Sequence, residues 1–140
     1  MSVKTLFKGR APSYLRIELE GEVLVSSTPI SFFGDVDVNT GAIVNPANPL
    51  KGRSISGKIL LIPHGRGSTV GSYILYRMSL KGTAPKCVLA LRPDTMTLVG
   101  CVIADIPIAF GFPESMLTYI SSDMRVSVKM TDGQALLRIL

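Results

Sequence analysis

Residues 64–69 bring together the side chains of this chain that are best suited to chemistry. In order they are His64, Gly65, Arg66, Gly67, Ser68 and Thr69. An arginine can bind a carboxylate or a phosphate through two parallel N–H groups. Two hydroxyl groups follow it at once, and glycines on both sides of the arginine let the backbone come close to a ligand. The spacing indicates an anion-binding loop that could also carry out chemistry.

This loop is expected to connect a buried strand to a helix. Residues 59–62 are all apolar, which is typical of a buried strand, and a proline and a glycine follow them. Ser68 is a favourable helix N-cap, and Gly82 is a favourable helix end. The apolar residues at helical spacing between them are Val70, Ile74 and Met78. The loop therefore precedes a helix N-terminus, where free N–H groups and the helix dipole favour anions.

The glycine pattern resembles phosphate-binding loops without matching one. A Walker loop has a lysine directly before its hydroxyl residue, and no lysine precedes Ser68 or Thr69. A dinucleotide fingerprint has its third glycine three residues after the second, whereas Gly71 comes four residues after Gly67. A dyad of Ser68 with His64 is geometrically unfavourable, because His64 belongs to the strand end. From the residues alone, the loop is either a functional site or only a helix cap.

Composition and charge are those of one small domain covering residues 1–140. Hydrophobic residues make up 46% of the chain and charged residues only 18%, whereas about a quarter is usual for charged residues. Either the core is unusually rich or some apolar surface is hidden against a partner. The net charge of +5 comes from scattered basic residues without interleaved aromatic residues, which does not favour nucleic-acid binding. No apolar stretch suits a signal peptide or a transmembrane helix, so we expect a cytoplasmic protein without membrane contact.

Two features that could indicate metal binding are incomplete. Cys87 and Cys101 have neither Cys-x-x-Cys spacing nor a histidine nearby, which is typical of buried, reduced thiols. Asp35 begins a segment like a calcium loop, but its sixth position is not glycine and its twelfth is not glutamate. We therefore expect no metal site in this chain and a turn at residues 39–41.

The rest of the chain is expected to alternate strands with two further helices. The expected strands are 3–8, 14–20, 22–25, 42–44, 86–91, 106–110, 125–130 and 135–140. Gly21 is expected to separate two of them, and residues 131–133 to form a hairpin turn. Residues 95–104 are ambiguous from the sequence but are compatible with a short helix that has Asp94 as N-cap, and the other helix is expected from Pro113. In the first of these, the residues expected on one apolar face are Met96, Val99, Val102 and Ile103.

Several segments together resemble the small subunit of the aconitase X family. They are residues 30–37, 40–41, 48–52, 65–73, 82–85 and 100–106. The resemblance extends from about Gly9 to Ile108, and the glycine–serine loop is its most specific part. Asp35 departs from it, because the family often has a second glycine after Gly34.

The resemblance implies an α/β fold, the swivelling β/β/α domain of the aconitases, with a β-rich, barrel-like core and a βαβαβ unit. It implies a dehydratase (hydro-lyase) subunit that is active only with a large partner subunit. That partner would carry an iron–sulfur cluster, whereas this chain would bind no cofactor. The implied substrate is (R)-mevalonate 5-phosphate, in the archaeal mevalonate pathway, or cis-3-hydroxy-L-proline in a bacterial branch. The basic charge balance favours the phosphorylated compound.

The resemblance also implies residue roles. Ser68 would be the catalytic proton acceptor, with its alkoxide stabilised by Arg66 and the helix N-terminus. The residues implied to bind the substrate carboxylate or phosphate are Gly65, Arg66, Gly67 and Thr69. Whether Phe32, Phe33 and Asp35 line the site is open at this point. The alternatives of another class are a non-catalytic module that captures an anion and a structural subunit in which Ser68 only caps a helix.

Overall fold

The computed structural model describes residues 6–140, and within that range it has seven strands and four helices. The strands are β1 (Leu6–Arg10), β2 (Ile17–Val25), β3 (Ile59–Ile62), β4 (Cys87–Ala90), β5 (Ile108–Ala109), β6 (Arg125–Thr131) and β7 (Gln134–Ile139). The helices are α1 (Phe32–Asp35), α2 (Thr69–Lys81), α3 (Thr95–Ala104) and α4 (Met116–Tyr119). Residues 3–5 of the first expected strand lie outside the described residues.

All seven strands belong to one mixed sheet with the order β1-β7-β6-β2-β3-β4-β5. β2 joins its two halves, because it pairs antiparallel with β6 through Ile17–Glu22 and parallel with β3 through Val23–Val25. The expectation that Gly21 ends a strand was wrong. Gly21 pairs with Val126 of β6 inside the continuous ladder, because an extended glycine can form the same backbone hydrogen bonds as any other residue.

The sheet closes on itself into a barrel-like core. Just beyond the end of β5, Phe110 exchanges two backbone hydrogen bonds with Arg10 at the end of β1, at 2.7 and 2.8 Å. Side chains that point inward fill the enclosed space, and they include Val23, Leu89 and Val128. The barrel-like core that the resemblance implied is confirmed.

A second core lies between the parallel half of the sheet and helices α2 and α3. Along β3, Ile59 and Leu61 point into the barrel, while Leu60 and Ile62 point toward the helices. Both faces are therefore buried, which explains why the strand has no polar residue. β3, α2, β4, α3 and β5 follow one another with all three strands parallel, so the βαβαβ unit is confirmed.

Some local expectations were wrong in their details. The buried residues of α3 are Met96, Thr97, Gly100, Cys101 and Ala104. Val99, Val102 and Ile103 are instead 43–47% exposed. The reason is that α3 approaches α2 through its small residues: a Cβ on Gly100 would lie 2.7 Å from Leu75 Cδ1. Large apolar residues at helical spacing therefore marked the outer face.

Three further elements are shorter than expected. Residues 42–44 form isolated bridges at Ala42 and Ile43 rather than a strand, and the strand expected at 106–110 is only β5. The helix expected from Pro113 is the single turn α4. Among the helices of the described residues, none is both long and apolar enough to cross a membrane.

Candidate functional site

The glycine–serine loop leaves β3 and is held against an earlier segment of the chain. Gly65 forms a parallel bridge with Ile30, and the N–H of Arg66 donates to the Ile30 carbonyl at 2.9 Å. Residues 29–31 therefore lie beside the loop as an additional extended segment. This contact brings the neighbourhood of α1 next to Arg66 and Ser68.

Gly65 fastens the other side of the loop to α3. Its N–H donates to Asp94 Oδ1 at 2.7 Å, and Asp94 Oδ2 accepts the N–H of Thr97 at 2.9 Å as the N-cap of α3. A Cβ on Gly65 would lie 1.9 Å from Thr97 Oγ1, so only glycine fits. Because its N–H is already occupied, Gly65 positions the loop and has no N–H left for a substrate in this conformation.

Gly67 and Ser68 form the exposed turn into α2. Gly67 has a φ of +110°, and a Cβ there would lie 3.1 Å from Ser31 Oγ. Ser68 is exposed, and its Oγ caps α2 by accepting the N–H of Val70 at 3.3 Å. A hydroxyl has one donor and two acceptor positions, so Ser68 Oγ keeps bonding capacity for a substrate. The exposed Thr69 is the first residue of the helix.

Arg66 extends from the loop beside a buried carboxylate. Its side chain is 56% exposed, and Nη2 lies 3.9 Å from Asp35 Oδ2. Asp35 is only 3% exposed. Its Oδ2 accepts the N–H of Ser31 at 2.8 Å, and its Oδ1 accepts Asn45 Nδ2 at 2.8 Å. Arg66 therefore has a charged neighbour, the fixed carboxylate of Asp35, and its side chain is otherwise accessible to solvent.

A pocket of about 220 Å³ opens next to Arg66. Its lining residues are Thr28, Pro29, Asp35, Asn45, Ala47, Asn48 and Arg66. Pockets for whole ligands usually have volumes of about 300–1,000 Å³, so this one suits a single functional group of a substrate. The sequence analysis assigned no role in the site to Asn45 and Asn48. Their side chains also accept the N–H groups of Ala47 and Leu50, at 2.9 and 2.8 Å.

The residues left open by the sequence have different places. Phe32 is fully buried in the core between sheet and helices, whereas Phe33 is 66% exposed. Asp35 lines the pocket beside Arg66. His64 is half-buried, and its Nδ1 lies 2.7 Å from the Gly65 carbonyl oxygen. Among the hydrogen bonds of residues 6–140, none joins His64 to Ser68, so the geometry provides no dyad.

The described part of the chain does not fit a metal ion or an iron–sulfur cluster. Within it, no three His, Cys, Asp or Glu side chains come together in a ligand-like group. Cys87 lies in the barrel and Cys101 in the core beneath the helices. Burial raises the pKa of both thiols well above the ordinary value, which disfavours the thiolate that a metal requires.

Taken together, the loop can hold an anion and offer it a hydroxyl. Arg66 supplies positive charge, and α2 directs the positive end of a 13-residue helix toward Ser68. Anions are stabilised at such a position, and so is an alkoxide. The arrangement is suited to taking a proton from an anionic substrate.

Comparison with known proteins identifies a family. The sequence model described as the aconitase X swivel domain matches residues 7–137. The phosphomevalonate dehydratase small subunit of Pyrococcus abyssi is 44% identical over 116 residues, which cover 83% of this chain and 87% of that protein. The protein of the same name from Methanothermobacter thermautotrophicus is 42% identical over 114 residues, covering 81% of this chain and 87% of that protein.

A solved structure agrees with this result. The holo-form crystal structure of Thermococcus kodakaraensis aconitase X is similar to this chain with a TM-score of 0.86 and 37% sequence identity. The match covers 97% of this chain and 98% of that one.

Proposed function

Because the chain belongs to the aconitase X swivel domain family, we propose that it is the small subunit of a phosphomevalonate dehydratase. The complex would convert (R)-mevalonate 5-phosphate to trans-anhydromevalonate 5-phosphate with loss of water. The observation that carries this proposal is the 44% identity to a phosphomevalonate dehydratase small subunit over 83% of this chain. The exposed hydroxyl of Ser68, two residues after Arg66 and at the N-terminus of α2, supports it chemically.

In the substrate, dehydration breaks a C–H and a C–O bond and forms the second bond of an alkene, while a new O–H bond forms on the group that accepts the proton. A proton leaves the carbon next to the carboxylate, the C–H electron pair becomes the second bond of the alkene, and the hydroxyl on the neighbouring carbon departs. Ser68 Oγ is the group we assign to accept the proton. A serine hydroxyl is too weakly acidic to become an alkoxide unaided, so it needs positive potential around it. The N-terminus of α2 and the Arg66 guanidinium are the sources of that potential in this chain.

Arg66 is the residue we assign to the anionic part of the substrate. Its exposed guanidinium has five N–H groups and can form two parallel hydrogen bonds to a carboxylate or a phosphate. Gly67 and Thr69 lie on either side of Ser68, at the N-terminal end of α2. We assign them a supporting part in binding. Gly65 instead acts through Asp94 by holding the loop in place.

A large partner subunit completes the proposed enzyme. It would carry the iron–sulfur cluster, which acts as a Lewis acid for the departing hydroxyl when present. The composition left a rich core and a hidden apolar surface as alternatives, and the structure has features of both. Besides two cores, the exposed large apolar residues on α2 and α3 are Val70, Tyr73, Tyr76, Leu80, Val99, Val102 and Ile103. Val70 and Tyr73 lie in the first two turns of α2, next to Ser68, so a partner that covers the site would contact them.

The test replaces Ser68 in the complex reconstituted with its large subunit. Ser68→Ala removes the hydroxyl and the helix cap, whereas Ser68→Asn removes the hydroxyl but keeps a good cap. Ser79→Ala is the matched control, because it removes a hydroxyl from the same helix far from the loop. We expect both Ser68 variants to lose dehydration of (R)-mevalonate 5-phosphate while still assembling, and Ser79→Ala to retain it.

Other outcomes would point to other functions. Activity close to wild type in both Ser68 variants would remove Ser68 from the mechanism. Turnover of cis-3-hydroxy-L-proline in place of the phosphorylated compound would change the substrate and keep the reaction type. If the chain bound phosphate compounds alone and no complex showed turnover, it would be an anion-binding module. A third result would be that Ser68→Asn has normal activity and Ser68→Ala only loses stability. Ser68 would then act only as a helix cap, which contributes about 1 kcal/mol to stability.

A further inference from the structure

Asp35 differs from the other carboxylates that form ion pairs within residues 6–140. In the other four pairs the carboxylate side chain is between 44% and 81% exposed, and exposed pairs contribute little because water and salt screen them. The Asp35 side chain is 4% exposed, and Arg66 is its ion-pair partner. A buried carboxylate is tolerated only when hydrogen bonds and an opposite charge compensate it.

The hydrogen bonds of Asp35 leave it little freedom to move. One oxygen accepts the Ser31 N–H and the other accepts Asn45 Nδ2, each at 2.8 Å. The backbone carbonyl of Asp35 also accepts the N–H of Val44 at 2.8 Å. The carboxylate of Asp35 is thus held by a backbone N–H and by a side-chain amide, independently of Arg66. A fixed negative charge at 3.9 Å favours those Arg66 rotamers that keep Nη2 near Oδ2.

The backbone of Arg66 is fixed by the same segment of chain. Its N–H donates to the Ile30 carbonyl at 2.9 Å, and Gly67 lies against Ser31. Both the backbone and the side chain of Arg66 are therefore held by residues 30–35. No side-chain hydrogen bond of Arg66 is formed with residues 6–140, so its N–H groups remain available on the exposed side.

We propose that Asp35 is the positioning residue that aims Arg66 at the anionic group of the substrate. The inference rests on the proposed function, because it assumes that Arg66 binds that group. Asp35 touches no substrate in this assignment and acts through Arg66 alone.

The sign of the effect separates positioning from simple electrostatics. Asp35→Asn removes a negative charge next to an anion site, so electrostatics alone would tighten substrate binding and lower KM. Loss of positioning would instead raise KM, because Arg66 would spread over several rotamers. We expect KM for (R)-mevalonate 5-phosphate to rise about tenfold, the size of coupling found within one ion-pair network, with kcat changing less than KM.

A double-mutant cycle tests whether Asp35 acts through Arg66. Arg66→Gln should raise KM by itself, and adding Asp35→Asn to it should have no further effect. Asp132→Asn is the matched control, because it removes a carboxylate from the exposed Arg16 pair and leaves the site intact. If Asp35→Asn fails to fold, Asp35→Ser serves as the second neutral variant, since its hydroxyl can still accept a hydrogen bond. An unchanged or lower KM in the neutral variant, or additive effects in the cycle, would overturn the proposal.

A second measurement does not depend on the substrate. The Nε–H signal of Arg66 in ¹⁵N NMR spectra of the full chain, identified by its loss in Arg66→Lys, reports the order of that side chain. We expect it to be ordered in the wild type and flexible, with an order parameter below about 0.6, in Asp35→Asn. Equal order in both proteins would refute positioning. If the wild-type complex does not dehydrate mevalonate 5-phosphate, the proposed function fails, and this measurement still decides the role of Asp35.

Discussion

Asp94 gives the sharpest test of how the Ser68 loop is held, because one carboxylate has two structural tasks. It caps α3 through the N–H of Thr97 and pairs with the buried N–H of Gly65. In Asp94→Ala, loss of the cap costs about 1 kcal/mol, and the unpaired N–H of Gly65 costs about 1–3 kcal/mol more. The expected loss is therefore about 2–4 kcal/mol.

This loss can be converted into a melting temperature. The entropy of unfolding is about 2.1 cal/mol/K per residue, or about 0.29 kcal/mol/K for a chain of 140 residues. A loss of about 3 kcal/mol then lowers Tm by about 10 °C. Calorimetry or circular dichroism on the full chain would measure the shift.

Two variants show which task of Asp94 matters more. Asp94→Ser keeps a helix cap but is too short to reach Gly65, so it should retain only the cap contribution and fall between Asp94→Ala and the wild type. Glu114→Ala is the control, because it removes an exposed carboxylate and should change stability by less than about 0.5 kcal/mol. A decrease below about 3 °C for Asp94→Ala would refute the view that this side chain anchors the loop.

Three further predictions follow from single observations. Gly65→Ala should destabilise the chain by about 1–3 kcal/mol, because its Cβ would overlap Thr97 Oγ1. Gly34→Ala is the control, because its Cβ would lie in open space. In parallel thermal melts, the control should leave Tm nearly unchanged. The hydrogen bond and the charge of Lys58 lower the pKa of Glu22 below its ordinary value of 4.5, so this pair stabilises the fold above that pH and less as pH falls through the lowered value. Thermal melts at several pH values below 4.5 should therefore show a weaker acid destabilisation in Lys58→Gln than in wild type. Both cysteines, whose pKa is raised by burial, should resist a thiol reagent at neutral pH in the folded chain and react after unfolding in denaturant.

The elements around the loop were predictable because local signals and tertiary structure agree there. The strand β3 is apolar on both faces, Ser68 and Asp94 cap their helices, and Gly82 ends α2 with a φ of +75°. At the hairpin, Asp132 and Gly133 both have positive φ, as a type I′ turn requires. Each of these features depends on neighbours within a few residues, which a sequence displays directly.

The misjudged features depend on contacts that are distant in sequence. Gly21 continues a strand because β6 and β3 both pair with β2, and neither partner is visible from the local pattern. The buried face of α3 was misassigned because Gly100, without a side chain, is the point of closest approach to α2. Hydrophobic periodicity counts large residues, so a helix that packs through small ones shows its exposed side as the apolar stripe.

The site itself shows the same division. Arg66 and Ser68 could be proposed from the sequence because their types and their place before a helix indicate anion chemistry, and their roles stay predictions. Asn45 and Asn48 were missed, although they line the pocket, because their place beside Arg66 depends on the bridge between Ile30 and Gly65. That contact joins parts of the chain that are more than thirty residues apart, and no local sequence pattern predicts it.

The two carboxylates that sequence reasoning undervalued lead to a common conclusion about the loop. Asp94 holds it from the side of α3 through Gly65, and residues 30–35 hold it from the opposite side through Arg66. A loop anchored to the body on both sides cannot open by itself without breaking buried hydrogen bonds. In the proposed enzyme, we therefore expect substrate access to Ser68 to depend on movement of this whole domain against the proposed large subunit, because the anchored loop has no independent hinge. Hydrogen exchange at Gly65 and Arg66 as slow as in the core strands would agree with this, whereas exchange as fast as at a free loop would contradict it.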